Sequence, residues 1–211
     1  MRLLIFANGL LPDIEKARAM LRPDDTIVCA DGGTHHALVL RLQPSLVIGD
    51  LDSMAPDVRK LIGQKAKVIQ HPQDKNETDL ELALHYALEQ KPDSILIVGA
   101  LGNRLDQTLG NIALLSDPRL AALDVRLDDG VEEAFFCRKA VEVAGRRGDL
   151  VSLVPWGEAV ESVRTEGLRW PLLDETLYSE KTRGISNEMS GPRAHVSMTS
   201  GLLLIVHRRQ S

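Results

Sequence analysis

Two carboxylates separated by a single residue, Asp50 and Asp52, follow the apolar run Leu46 to Ile48 in the segment Gly49-Asp50-Leu51-Asp52-Ser53. At that spacing both can converge on one hard divalent cation, and the preceding glycine lets the backbone turn closely beneath it. An acidic turn capping a following helix would use the same residue types. Three further segments carry acid, glycine or base where a strand gives way to a turn or helix. Ala30-Asp31-Gly32-Gly33 offers a carboxylate and two glycines. The stretch from His71 to Asp79 delivers Lys75 and Asp79 at the start of a helix, where the helix dipole favours a phosphate. Gly99 to Gln107 adds Arg104, a planar fork for phosphate oxygens, and Asp106, which can meet a cation or pair with Arg104. Any one of these reads equally well as a solvated turn. Four together favour a magnesium-nucleotide site, because a purely structural sheet has no need of them all along one edge. The chain has no Gly-Lys dipeptide, so no Walker A loop, and no HExxH or EF-hand pattern.

The elements that must hold these residues are legible in the first 130 positions. Leu3 to Ala7, Thr26 to Ala30, Leu46 to Ile48, Lys67 to Gln70, Ser94 to Val98 and Val125 to Leu127 read as strands buried on both faces. Asp79 to Glu89 reads as a helix with Leu80, Leu84, Ala87 and Leu88 on one stripe; Thr78 is its N-cap and Glu81 completes a capping box. A second helix starts near Asp106, with Leu105, Leu109, Ile112 and Ala113 at helical spacing. Strand–helix alternation predicts a parallel sheet with helices on its faces, and ligands then sit beyond the carboxyl ends of the strands. After about Leu127 the helical period disappears. Short runs separated by turns predict an all-β half: Glu133 to Arg138, Val141 to Ala144, Leu150 to Pro155, Val160 to Leu168, Gly184 to Glu188, Ala194 to Met198 and Leu202 to Arg208. Asp128-Asp129-Gly130 is the turn between the halves. The expected fold is therefore an α/β, Rossmann-like three-layer domain over residues 1–130, followed by an all-β sandwich over 131–211.

Composition agrees with a folded protein: 211 residues, 44% apolar and 26% charged, exclude disorder and fibrous folds. A net charge of −5 gives no general attraction to nucleic acid or anionic membrane, so a bound anion must be held locally. Cys29 and Cys137 are far apart and form no CxxC, which excludes a disulfide framework and fits a reducing cytoplasm. No apolar run is long enough to span a bilayer, and Met1-Arg2-Leu3 leads into a strand without a signal-peptide pattern. The expectation is a soluble, unprocessed, cytoplasmic protein.

Taken in order, these segments resemble the thiamine pyrophosphokinase (thiamine diphosphokinase) family. The likeness runs through Ala30 to Gly33, Gly49 to Ser53, Pro72 with Lys75 and Thr78-Asp79-Leu80-Glu81, and Gly102-Asn103-Arg104-Leu105-Asp106-Gln107. It continues through Ser152-Leu153-Val154-Pro155, Gly167-Leu168-Arg169-Trp170-Pro171-Leu172 and Gly184-Ile185-Ser186-Asn187-Glu188. The resemblance implies transfer of the β,γ-diphosphate of ATP to the hydroxyethyl oxygen of thiamine with Mg²⁺, giving thiamine diphosphate and AMP. It implies a homodimer whose active sites lie between subunits, a nucleotide-binding first domain, and a second domain that binds thiamine and dimerises. Carried over by position, Asp31, Asp50, Asp52 and Asp79 are the catalytic acids, with Asp50, Asp52 and Asp79 as metal ligands. Gly32, Gly33, Lys75, Thr78 and Arg104 fall to ATP; Asp106, Gln107, Ser186 and Asn187 fall to thiamine. Trp170 fits either stacking or packing in the thiamine pocket or a place in the core, with the core reading slightly preferred. The chain departs from many bacterial members at Asn103, at Gln107, where a histidine is common and no acid–base role is assigned, and at Asn76, where an aspartate is common and no metal role is assigned. Two other readings compete on the residues alone. One is a nucleotidyl- or glycosyltransferase using Asp50-Leu51-Asp52 as a DxD metal pair; the other is a non-catalytic sensor of thiamine or nucleotide.

Overall fold

In the computed structural model, which describes residues 1–52, 62 and 66–210, the apolar runs of the first half become parallel strands. These are β1 (Arg2–Phe6), β2 (Thr26–Ala30), β3 (Leu46–Gly49), β4 (Lys67–Gln70), β5 (Ser94–Val98) and β6 (Asp124–Asp128). They lie in the order β6-β5-β1-β2-β3-β4, every neighbouring pair parallel. The chain thus steps outward from β1 to β4 and then crosses to β5 on the other side of β1. The connections leaving β1 and β5 diverge, and the crevice beyond their carboxyl ends is the topological switch point.

Helices cover both faces. Alternate residues Leu4, Phe6, Ile27, Cys29, Val47, Leu96 and Val98 pack in one cluster with Met20 and Leu21 and with Ala37, Leu38 and Leu40. Those residues lie on or just after α1 (Ile14–Ala19) and α2 (Thr34–Val39). Leu3, Ile5, Val28, Ile48, Ile95 and Ile97, which the strand period turns to the opposite face, are buried as well. α3 (Asp79–Glu89) lies against β2 and β3 and buries Leu80, Ala83, Leu84 and Ala87, as its stripe requires. Thr78 caps it, its hydroxyl accepting the Glu81 backbone N–H at 3.2 Å.

Two expectations fail here. β4 is an edge strand, exposed along most of its length, because among the described residues it pairs with β3 alone. In α4 (Leu105–Leu114) only Ile112 of the expected stripe is buried; Leu105 is 74% and Leu109 49% exposed.

The chain divides at Gly130, and residues Val131–Ser211 form a second unit. β7 (Glu132–Cys137), β9 (Leu150–Pro155), β12 (Asn187–Glu188) and β14 (Leu203–Arg208) pair antiparallel in the order β12-β9-β14-β7. β8 (Ala140–Ala144), β10 (Val160–Glu166), β11 (Leu173–Leu177) and β13 (Arg193–Ser197) form a second antiparallel sheet, β11-β10-β13-β8. Phe135, Val151, Leu153, Leu203 and Ile205 from the first meet Val143, Val160, Val163, Leu177 and Val196 from the second. Two sheets closing over one apolar layer make a β-sandwich. Of the expected Gly184 to Glu188 strand only Asn187 and Glu188 pair, since Ser186 stands at φ +57°, outside the extended region.

The inward face of β14 continues Leu203, Ile205 and then His207, so an imidazole is carried into the sandwich interior. His207 is fully buried between two buried carboxylates: Nδ1 lies 2.8 Å from Glu133 Oε1 and Nε2 3.1 Å from Asp149 Oδ2. Burial alone would depress the imidazole, but its hydrogen bonds to Glu133 and Asp149 outweigh burial and raise its pKa. Burial likewise pushes Asp149 up, and the backbone N–H groups of Gln210 and Arg146, together with His207, bring it below the usual carboxylate range. Both ring nitrogens face acceptors, so the fully satisfied state is the imidazolium. Gly145 leaves the room: a Cβ there would lie 2.8 Å from Asp149 Oδ2 and 2.9 Å from His207 Nε2.

Candidate active site

Two strand ends and one helix start converge at Gly49, the last residue of β3. A Cβ at this position would stand 2.8 Å from the Asp31 Cβ and 3.1 Å from the Asp79 carboxyl, so the absence of a side chain is what lets acids from two other segments close in. Asp31, directly after β2, is 6% exposed and sits at φ +39° at the head of a single 3₁₀ turn; the Thr34 hydroxyl donates to its carbonyl at 2.7 Å. Asp50 follows β3, and Asp79 opens α3. One carboxylate oxygen from each of Asp31, Asp50 and Asp79 lies within 4.8 Å of the other two.

Asp52, the partner expected from the Asp-x-Asp spacing, is outside this trio. The intervening Leu51 takes a left-handed backbone, φ +65°, and drives its side chain into the core at 4% exposure. The turn folds back so that Asp50 Oδ1 accepts the Asp52 N–H at 3.1 Å, while the exposed Asp52 carboxylate accepts Gln73 Nε2 at 2.6 Å. Asp52 therefore lines the wall of the cavity rather than joining the cluster. Ser53, the end of the acidic segment, lies outside the described residues.

Lys75 supplies the nearby positive charge. Its Nζ donates to Asp79 Oδ1 at 2.6 Å, with the two side chains 12% and 26% exposed. Three clustered carboxylates against one ammonium leave an excess of negative charge at the rim, and all the donors are hard oxygens. That set suits a hard divalent cation such as Mg²⁺, which binds carboxylate oxygens and keeps water or phosphate oxygens on its remaining positions.

The acids line a cavity of about 560 Å³ at the carboxyl edge of the sheet, with Asp52, Lys75, Thr78, Arg104 and Gln107 also on its walls. Arg104 and Asp106 pair with each other at 2.5 Å on the surface; that contact raises the arginine pKa and lowers the aspartate's. Gly32 and Gly33 serve as packing clearances: a Cβ on Gly33 would stand 2.0 Å from the Phe6 carbonyl oxygen, and one on Gly32 2.4 Å from Asn8 Nδ2.

Ser186 and Asn187 belong to the second unit. The Ser186 N–H donates to Ser152 Oγ at 3.0 Å. The Asn187 amide clamps a neighbouring backbone, Nδ2 donating to Trp170 O at 2.6 Å and Oδ1 accepting Trp170 N–H at 3.1 Å. Trp170 is not core: its side is 49% exposed, with the Arg169 guanidinium 4.8 Å from the ring centroid. The expectation failed because an aromatic in a β-rich half is usually buried, whereas here the backbone clamp holds it outward.

Sequence reasoning missed Asn8 and Gly9 after β1, Gln73, and Asn111, whose Nδ2 donates to the Ala100 carbonyl at 2.8 Å; Asn8, Gly9, Gln73 and Asn111 line the cavity. The same strand-end rule applied to Leu3–Ala7 would have found Asn8-Gly9.

Fold and site together define an α/β unit with an acidic strand-end cavity, followed by a β-sandwich. Residues 17–127 match the family described as thiamin pyrophosphokinase, catalytic domain, and residues 139–203 match thiamin pyrophosphokinase, vitamin B1 binding domain. The chain belongs to the thiamine pyrophosphokinase family. It is 31% identical over 179 residues to the thiamine pyrophosphokinase of Bacillus subtilis, covering 83% of this chain and 84% of the relative. The crystal structure of the Bacillus subtilis thiamine pyrophosphokinase superposes with a TM-score of 0.89 at 27% identity over the whole of both chains. That of the Geobacillus thermodenitrificans thiamin pyrophosphokinase gives 0.86 at 28% identity, covering 100% of this chain and 99% of the other.

Proposed function

We propose that this chain transfers the β,γ-diphosphate of ATP to the hydroxyethyl oxygen of thiamine, forming thiamine diphosphate and AMP. The observation that carries the reading is the convergence of Asp31, Asp50 and Asp79, beside Lys75, at the carboxyl rim of a parallel sheet in a chain of this family. In the reaction the thiamine oxygen bonds to the β-phosphorus, the bond from that phosphorus to the α,β-bridging oxygen breaks, and the electron pair leaves with AMP. Bound Mg²⁺ would neutralise charge on the phosphates; Asp31, Asp50 and Asp79 are the residues that would hold it. Lys75, which Asp79 keeps in place, would meet the phosphate oxygens and offset the charge that builds on the leaving group. The acidic walls suit thiamine, whose thiazolium ring carries a fixed positive charge. Asp52, at the cavity wall and outside the trio, would accept the hydroxyl proton.

The surface pairing of Asp106 with Arg104, which lines the cavity, supports a role in which ATP and thiamine separate them, the guanidinium turning to phosphate and the carboxylate to the thiamine cation. Ser186, Asn187 and the outward Trp170 complete the thiamine side of the reading. A homodimer is inferred from membership of the family alone. No helix among the described residues is long and apolar enough to cross a membrane, and the proposed setting is the cytoplasm. The match to the thiamin pyrophosphokinase catalytic and vitamin B1 binding domains favours diphosphate transfer over sugar transfer by a DxD pair. The test is incubation with ATP, Mg²⁺ and thiamine followed by identification of every product. AMP and thiamine diphosphate in equal amounts are expected; ADP, free pyrophosphate, or binding without turnover would refute the reading.

A further inference from the structure

The turn after β1 is more constrained than a surface loop needs to be. The Ala7 N–H donates to Val98 O at 2.8 Å and the Gly9 N–H to Gly99 O at 2.6 Å, tying the ends of β1 and β5 together across the switch point. The approach is so close that a Cβ on Gly9 would stand 2.4 Å from the Gly99 oxygen. A third element, α2, reaches over to hold the turn: His36 Nε2 lies 2.8 Å from Gly9 O. A carbonyl can only accept, so this contact fixes the tautomer with the proton on Nε2. The same ring abuts Gly99, whose Cβ would fall 3.1 Å from His36 Cδ2.

What this clamp presents is Asn8. It is exposed on the cavity wall, and its carboxamide makes no hydrogen bond among the described residues. The amide lies over Gly32, within 2.4–2.8 Å of where a Cβ would be, so it stands one residue from Asp31 of the acidic trio. A neutral carboxamide there can donate through Nδ2 to a phosphate oxygen without repelling the cation that the carboxylates attract, which a lysine in its place would do.

We propose that Asn8 binds the phosphate chain of the nucleotide and that His36 is the positioning residue that holds its turn. This rests on the proposed ATP-dependent function. The test is calorimetric titration of the full chain, in Mg²⁺, with a non-hydrolysable ATP analogue and separately with adenosine. Asn8→Ala should weaken the analogue about 10–100-fold, the range of a lost hydrogen bond to a charged group, and leave adenosine binding and the melting temperature unchanged. Asn8→Asp should weaken it further through repulsion. His36→Ala should reproduce the Asn8→Ala loss, and His36→Gln, whose amide can still donate to Gly9 O, should restore binding. Unchanged analogue affinity in Asn8→Ala overturns the inference, as does an equal loss for adenosine, which would place the contact on the nucleoside. Failure of the wild-type chain to bind the analogue at all would overturn the ATP reading itself, and this inference with it.

Discussion

Asp50→Asn is expected to lower Mg²⁺-dependent AMP formation by about 10²–10³-fold while leaving the fold intact, the scale of a lost transition-state charge contact. Asparagine keeps the shape and the carbonyl that accepts the Asp52 N–H, and removes only the charge. Asp50 is a cleaner choice than Asp31, which is buried at a positive φ, or Asp79, which also anchors Lys75. Asp52→Asn, which removes the proposed proton acceptor, should lower turnover by about 10²–10⁴-fold while leaving Mn²⁺ affinity unchanged, whereas Asp50→Asn should weaken both. The pair therefore separates the geometric trio from the grouping suggested by spacing. Steady-state AMP production and a melting curve for each variant check it; undiminished turnover in Asp50→Asn would remove that carboxylate from the site.

His207→Ala is expected to destabilise the Val131–Ser211 unit by about 3–5 kcal/mol, because removing one member of a buried charge group leaves the others uncompensated. Asp149 keeps the backbone N–H groups of Arg146 and Gln210, and Arg209 stands 3.6 Å from Glu133. The same triad sets a pH dependence. The folded imidazole pKa is raised above its ordinary 6.5, so its contribution is whole below 6.5 and is lost as pH rises through the folded value. Asp149 is held below its ordinary 3.8, so its contribution is present above 3.8 and is lost as pH falls through the folded value. Stability of the unit should pass through a maximum between these limits. Urea midpoints across pH measure it, and the alkaline limb should flatten in His207→Ala; identical limbs in the two proteins would exclude the triad as the cause.

Where a segment's fate depends on its own residues, the sequence was a good guide. β2, β4, β5 and β9 and the helix from Asp79 to Glu89 have the expected bounds, because apolar runs, a capping threonine and a clean stripe are local signals. α1 and α2, six residues each, are too short to display a period. β11 escaped notice because Leu173–Leu177 is acidic and largely exposed, with Leu173 at 76%. The exposure of β4 and of Leu105 depends on neighbours that no local pattern encodes.

The site divides in the same way. Carboxylates at strand ends were visible as residue types beside apolar runs. Which of them meet was not, because it depends on Gly49 admitting Asp31 and Asp79 and on the left-handed Leu51 turning Asp52 aside. Asn8 and His207 were missed for a related reason: an amide in a turn and a histidine in a strand gain meaning only from partners 24 or more residues away, as with Gly32 beside Asn8 and Asp149 beside His207.

The central claim is that Asp31, Asp50 and Asp79 gather one divalent ion at the sheet rim. Electron paramagnetic resonance of Mn²⁺ added to the full chain tests this most directly, in the presence of a non-hydrolysable ATP analogue. The wild-type chain should bind the ion, and Asp50→Asn should weaken it at least about 10-fold, a loss that even outer-shell changes typically reach. Mn²⁺ affinity equal in the wild type and Asp50→Asn would contradict the account.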